Sequence, residues 1–189
     1  MSDRAAAAKA AITAAAGPVF ARYGYRRTTM DLIAQAANVS RPAVYQHFPN
    51  KAAVFAAVAE HMTGLLHAAA EAAAAADGTT AERLYRALAV KLDFAAEAIG
   101  ADLRGELVQE AAQIAPETIA AAEARYAALV ASVLAADPGL DRLPASDAAA
   151  VLVDAMLGIA RSAAGAEQMH ERLRLLVDLT LNGLRKDRP

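Results

Sequence analysis

The chain has 189 residues with a formal net charge of −2, and 57% of them are hydrophobic while none is cysteine. Without thiols, a disulfide scaffold and thiolate metal sites are excluded, and a reducing compartment is the expected setting. Alanine, the strongest helix former, inflates the hydrophobic share. No run approaches the ~20 apolar residues of a membrane span or the apolar core of a signal peptide, so a cytoplasmic protein with no membrane partner is expected.

Charge is unevenly distributed. Residues 1–51 hold Arg4, Lys9, Arg22, Arg26, Arg27, Arg41 and Lys51 against only Asp3 and Asp31, a net of +5 that leaves −7 for the remainder. A basic segment joined to an acidic body is the asymmetry expected of a chain that meets phosphate at one end.

Residues 4–23 read as a helix with Ile12, Ala16, Val19 and Phe20 along its apolar side and Gly24 as its stop. Pro18 removes a backbone donor inside it and is expected to bend it. Phe20 should pack beneath the segment at 28–51. Arg26 and Arg27, in the connection, suit solvated charge and phosphate contact equally.

Residues 28–51, TTMDLIAQAANVSRPAVYQHFPNK, read as two short helices joined by a tight turn. Thr28 is placed to cap the first, with Asp31 at the capping-box position and Leu32, Ile33 and Ala36 on one side. Asn38 tolerates the left-handed conformation that ends a helix. Ser40 can then cap a second helix over residues 41–48, with Pro42 accepted in its first turn. Val44 and Phe48 face inward, leaving Arg41, Ala43, Gln46 and His47 outside, and Tyr45 partly packed with its hydroxyl free. Pro49 ends that helix and Asn50 caps the next, with Lys51 in its first turn. This is a helix-turn-helix.

Gly24-Tyr25, Thr28-Thr29-Met30, Leu32-Ile33-Ala34, Val39-Ser40-Arg41, Val44-Tyr45, His47-Phe48 and Lys51 together resemble the DNA-binding domain of the TetR family of bacterial transcriptional regulators. Asn38 stands where that family usually has glycine. The resemblance implies an operator-DNA partner, with Arg41, Pro42, Ala43 and Gln46 facing base edges and Thr29, Tyr45, His47 and Lys51 holding phosphate.

Beyond residue 51 the pattern is helical almost throughout. Segments are expected at 51–76, bounded by Asp77-Gly78, then from Thr80, with Arg83 a poor capping-box partner, to near Gly100. Further segments are expected at 102–114, amphipathic through Leu103, Leu107, Val108 and Ala111, at 116–136, closed by Pro138-Gly139, and at about 146–164 and 170–186. No strand-like alternation is visible. The fold class is therefore all-α, and the resemblance implies a three-helix DNA-binding domain over residues 1–51, its boundary within the following helix, and a larger helical ligand-binding and dimerisation domain over 52–189.

The last two segments are apolar on more than one side, with Leu175 and Leu179 outside the main stripe, which a partner chain would explain. The expected homodimer interface comprises Val151, Leu152, Ala155, Leu173, Leu176, Val177, Thr180, Leu181 and Leu184. Polar residues in apolar surroundings, His61, His67, Tyr85, Asp93, Arg104, Gln109, Gln113 and Tyr126, are the set from which the family resemblance would draw the lining of a pocket for a small hydrophobic or amphipathic effector.

Enzymatic readings find little support. Glu167-x-x-His170 has di-iron spacing but stands alone beside Gly165, in what reads as a solvated loop. His61 and His67, six apart, do not share a helical face. Neither HExxH, a P-loop, GxGxxG nor GxSxG occurs. Ser40, His47 and Asp31 supply triad residue types on elements already explained as a DNA reader. No enzyme, cofactor or metal is expected. A homodimeric repressor released from its operator by an effector is the leading reading; a helical adaptor without DNA binding, and an activator or an effector-free regulator, are the alternatives.

Overall fold

A computed structural model describes the backbone of residues 2–100 and 102–185 and the side chains of residues 4–95 and 106–185. Among the described residues there are nine helices and no strand: α1 (Ser2–Arg27), α2 (Met30–Ala36), α3 (Arg41–His47), α4 (Lys51–Ala75), α5 (Thr80–Gly100), α6 (Asp102–Ile114), α7 (Pro116–Ala135), α8 (Ala145–Ser162) and α9 (Ala166–Leu184). The chain is all-α, as the periodicity implies. Residues 101 and 186–189, and the side chains of Leu103 and Arg104, lie outside the described residues.

Contacts group the chain into two compact units, Met1–Gly64 with Gly100–Ala121, and Leu65–Ile99 with Ala122–Pro189. The first stretch ends within α4, and residues 100–121 join it. α4 carries Val54, Phe55 and Val58 into the first core, and α6 adds Ala111, with Leu107 and Ile114 packed against it.

In the first unit, Ile12, Ala16 and Phe20 of α1 close over Ile33 of α2, Val44 of α3, Phe48 and α4. Phe20 does lie under the helix-turn-helix, in edge contact with Phe55 at 4.9 Å between ring centroids. The backbone of α1 stays helical through Pro18, and the interruption falls at Gly24, with φ 73° and ψ 166°. Without a Cβ, glycine adopts that dihedral cheaply, and one more turn continues to Arg27.

The second unit is built on Leu84, Leu88, Leu92, Tyr126, Val130, Leu134, Leu152, Met156 and Leu173, all nearly or completely buried. Its entry corrects the capping expectation at Thr80. Thr79 is the cap: its hydroxyl accepts from the Glu82 amide at 3.2 Å, and the Glu82 carboxylate accepts from the Thr79 amide at 2.7 Å. The Thr79 amide first, and then the Thr79 hydroxyl, which also donates to that carboxylate at 3.0 Å, hold the Glu82 carboxyl below its usual range. Gly78, at φ 151°, has a backbone conformation that disfavours a side chain, and a Cβ there would meet the Glu82 carboxylate at 2.8 Å and displace it. Arg83, a poor capping partner, instead donates to the carbonyl of Ala74 at 2.7 Å, and Arg86 donates to those of Ala73, Ala76 and Asp77. Two arginines thus satisfy carbonyls at the end of α4 and just beyond it.

Three further expectations change. α9 begins at Ala166, not near 170, without a side-chain cap to announce it. α4 and α7 contain windows of mean hydropathy 1.2 and 1.3, long and apolar enough to cross a membrane by composition, so the expectation that no run approaches that threshold is corrected. The alanine content of both helices raises those means.

The third change concerns the expected dimer face. Leu152, Leu173, Val177, Leu181 and Leu184 are core residues of their own unit, none more than 5% exposed, and Ala155, Leu176 and Thr180 are half-buried. Of the nine residues expected at the interface, Val151 alone is fully exposed, at 67%. Leu175 and Leu179, outside the stripe, are 58% and 63% exposed. Periodicity shows that α9 has two apolar stripes but not which one covers its own core.

Candidate nucleic-acid interface

The exposed face of α3 is set in place by its two ends. At the N-terminus Ser40 accepts a hydrogen bond from the Ala43 amide at 3.3 Å, and Pro42 occupies the first turn. Val44 is completely buried and Phe48 2% exposed, which fixes the helix's rotation. Arg41, Pro42, Tyr45 and Gln46 are consequently exposed, with Ala43 and His47 half-buried. Before it, α2 ends as expected at Asn38, whose φ of 52° is the left-handed conformation; the amides of Asn38 and Val39 bond the carbonyls of Gln35 and Ala34.

The start of α2 differs by one residue from the expectation. Thr28 is 1% exposed and donates its hydroxyl to the Gly24 carbonyl at 2.7 Å. The cap is Thr29, whose hydroxyl accepts from the Leu32 amide at 3.2 Å. Asp31 therefore closes no capping box. Its carboxylate receives Arg41 Nη1, at 3.1 Å and 3.4 Å to its two oxygens, while Arg41 Nη2 lies 3.5 Å from the Tyr45 hydroxyl and the guanidinium 5.6 Å from the Tyr45 ring centre.

Lys51, expected at phosphate, is held by backbone carbonyls. Its ammonium donates to the carbonyls of Tyr25 at 2.7 Å, Thr28 at 2.9 Å and Arg26 at 3.2 Å, and sits 4.4 Å from the centre of the Tyr25 ring. An ammonium has three protons, and three carbonyls take them. In this geometry Lys51 fastens the start of α4 to the end of α1 and has no donor left for phosphate. Asn50 caps α4 as expected, accepting from the Ala53 amide at 2.9 Å.

Of the two connection arginines, Arg27 donates to the Tyr23 carbonyl at 3.0 Å, and Arg26, 89% exposed at its side chain, reaches Glu110 of α6 at 3.5 Å. Sequence reasoning missed three participants: Asp31 as a partner of Arg41, Tyr25 as the seat of Lys51, and Glu110. Only Asp31 had a local signal, a carboxylate at the start of α2 with no second cap to make.

The residues expected to line an effector pocket are divided between the two units. Gln109 and Gln113 border a polar cleft of about 240 Å³ with Arg26, Glu106 and Glu110 in the first unit. His61 borders a shallow depression of about 340 Å³ beside Lys9, Thr13 and Glu60. In the second unit the Tyr85 hydroxyl is 3.0 Å from His170 Nδ1, and His170 Nε2 is 2.9 Å from Asp93. Tyr126 is buried, donates to the Ala87 carbonyl at 2.6 Å and has its hydroxyl pKa raised by that burial. His67 pairs with Glu71 one turn on, at 3.3 Å. The Arg104 side chain lies outside the described residues. Helical periodicity marks polar residues among apolar ones but not which of them share a space.

His170, expected in a solvated loop, stands in α9 with its ring held between α5 residues. Among the described residues no group of three or more His, Cys, Asp or Glu is placed to hold a metal ion.

Residues 12–58 match the model of the bacterial regulatory proteins of the TetR family. An uncharacterized HTH-type transcriptional regulator, YhgD of Bacillus subtilis, is 34% identical over 86 residues, which cover 46% of this chain and 45% of that relative. The match thus spans under half of the curated relative. Among solved structures, a chain assigned to the TetR-family transcriptional regulators of Mesorhizobium loti aligns with a TM-score of 0.77 at 21% identity, over 97% of this chain and 99% of that one, a likeness of fold alone. SmeT, the repressor of the Stenotrophomonas maltophilia multidrug efflux pump SmeDEF, aligns with a TM-score of 0.63 at 26% identity, over 95% of this chain and 91% of that one; SmeT has also been solved with triclosan. The motif in residues 28–51, the helix-turn-helix built from it and the matched family model agree: residues 12–58 belong to the TetR family of bacterial regulatory proteins, a family of transcription regulators.

Proposed function

We propose that the protein is a cytoplasmic, homodimeric transcriptional repressor that binds operator DNA through α3 and leaves it when a small hydrophobic or amphipathic effector binds. The observation that carries this reading is the outer face of α3, capped by Ser40, rotationally fixed by Val44 and Phe48, and presenting Arg41, Pro42, Tyr45 and Gln46. An arginine at the helix N-terminus and an amide five residues on suit the donor–acceptor pattern of the major groove. In this reading Arg41, Pro42, Ala43 and Gln46 meet base edges, Thr29, Tyr45 and His47 meet phosphate, and Lys51 holds the frame.

Dimerisation is assigned to the outer faces of α8 and α9, around Val151, Leu175 and Leu179, which are apolar and exposed. Two copies related by a two-fold axis would present two α3 helices to successive major grooves, about 34 Å apart or a multiple of that. Effector control is supported by SmeT, a repressor solved with triclosan, and by α4, one continuous helix whose residues belong to both units. An effector acts by favouring the state in which the two α3 helices no longer match the grooves.

Selection of bound fragments from random duplex DNA, followed by titration of the enriched sequence at several salt concentrations, tests the reading. Enrichment of one sequence, with affinity falling steeply as salt rises, is the expected result. Absence of salt-dependent DNA binding would favour a helical adaptor.

A further inference from the structure

The Asp31–Arg41 pair is unusual for a DNA-reading face, because a carboxylate there repels phosphate. Capping of α2 is already done by Thr29, and the core by Ile33 and Ala34, so neither requires an acid at position 31. The contact is also specific in how it meets the guanidinium. Both carboxylate oxygens lie on Nη1, at 3.1 Å and 3.4 Å. Among the described residues nothing takes the Nε proton, and Nη2 makes only the 3.5 Å approach to the Tyr45 hydroxyl, at the limit of a hydrogen bond. What remains is the side-on fork, Nε with Nη2, two parallel donors of the kind that meet the O6 and N7 of guanine.

We infer that Asp31 is a specificity-determining positioning residue, whose carboxylate occupies one end of the Arg41 guanidinium, over the Tyr45 ring, so that the side-on fork is presented to a guanine and a wandering contact with phosphate is suppressed. This rests on the assignment of Arg41 to a base edge. Both partners are more than half exposed, at 56% and 65% of their side chains, so the pair adds little to folding stability. Its effect falls on direction: it limits which of the five guanidinium protons point outward, and it places a negative charge where a phosphate would otherwise compete for them.

The test uses the selected duplex, a series of duplexes each changed at one base pair, and a random duplex, titrated with the full-length protein and its Asp31→Asn, Asp31→Glu, Arg41→Ala and Asp31→Asn/Arg41→Ala variants. Arg41→Ala identifies the base pair that Arg41 reads as the position where discrimination collapses. Asp31→Asn should bind the random duplex at least as tightly as the unaltered protein, since a negative charge is gone, yet lose discrimination at that one base pair by about 2- to 5-fold, the range set by an exposed ion pair. Asp31→Glu should restore part of the loss, and Asp31→Asn should change nothing further when Arg41 is already alanine. Unchanged discrimination in Asp31→Asn would overturn the positioning role while leaving Arg41 as the reader. An equal loss in the Arg41→Ala background would overturn it too, because Asp31 would then act on a base itself. If Arg41→Ala altered no position selectively, the base-edge assignment would fail and the inference with it.

Discussion

The ammonium of Lys51 lies 2.7 Å from the backbone carbonyl of Tyr25 and 4.4 Å from the centre of the same residue's ring. One cation thus takes both the carbonyl and the aromatic face of a residue 26 positions earlier. Charge-assisted bonds and a cation–π contact each strengthen when partly shielded from water, and the bonds to Tyr25 and Thr28 are part-buried. The pairing turns a loose exit from α1 into a fixed platform for α2 and α3.

Lys51→Ala should therefore behave as a stability variant. Removing the ammonium leaves carbonyls at the end of α1 without their donor, at a cost of about 1–3 kcal/mol. Denaturant unfolding should show that loss, while the slope of log affinity against log salt stays as in the unaltered protein. A slope reduced by about one with unchanged stability would return Lys51 to the phosphate.

The cap of α2 is assigned to Thr29 and not to Thr28. Thr29→Ala should cost about 1 kcal/mol, as should Ser40→Ala at the start of α3. Thermal unfolding of each single variant and of the pair checks this. A neutral Thr29→Ala would mean that another group satisfies the first amides of α2.

Much of this domain was legible in the sequence because its signals are local. Ser40 with Pro42, Asn38 at the turn, Asn50 before α4, and Val44 with Phe48 each lie within a turn of what they determine. Lys51 was read as a phosphate ligand because its three carbonyls are 23 to 26 residues away, beyond any periodicity. Asp31 and Arg41 are ten apart, across a turn whose geometry had to be known first. In α9 the ambiguity was of another kind. Leu173, Val177 and Leu181 form one stripe and Leu175 and Leu179 another, and only packing shows which faces the core.

That distinction gives opposite outcomes for leucines of the same helix. Leu175→Asp combined with Leu179→Asp should leave helical content intact and convert the protein to monomers in sedimentation. Leu181→Asp, at a position 5% exposed, should unfold the second unit, since burying an unpaired carboxylate costs several kcal/mol. A folded, dimeric double variant would place the interface elsewhere.

Glu82 supplies a prediction in pH. Its folded-state pKa is lowered, with the Thr79 amide the largest cause, so its contribution to stability is fully present above the unfolded-state value and is lost as pH falls through the folded-state value. Stability measured from neutral pH downward should fall more steeply for the unaltered protein than for Glu82→Gln. Parallel curves would mean that the capping box does not depend on the charge.

The central claim is that the outer face of α3 reads base edges, and Arg41→Ala on the selected duplex tests it most directly. Affinity for that duplex should fall by about 1–3 kcal/mol, and discrimination should relax at one base pair and persist at the others. A uniform loss across every sequence, with no position singled out, would contradict it.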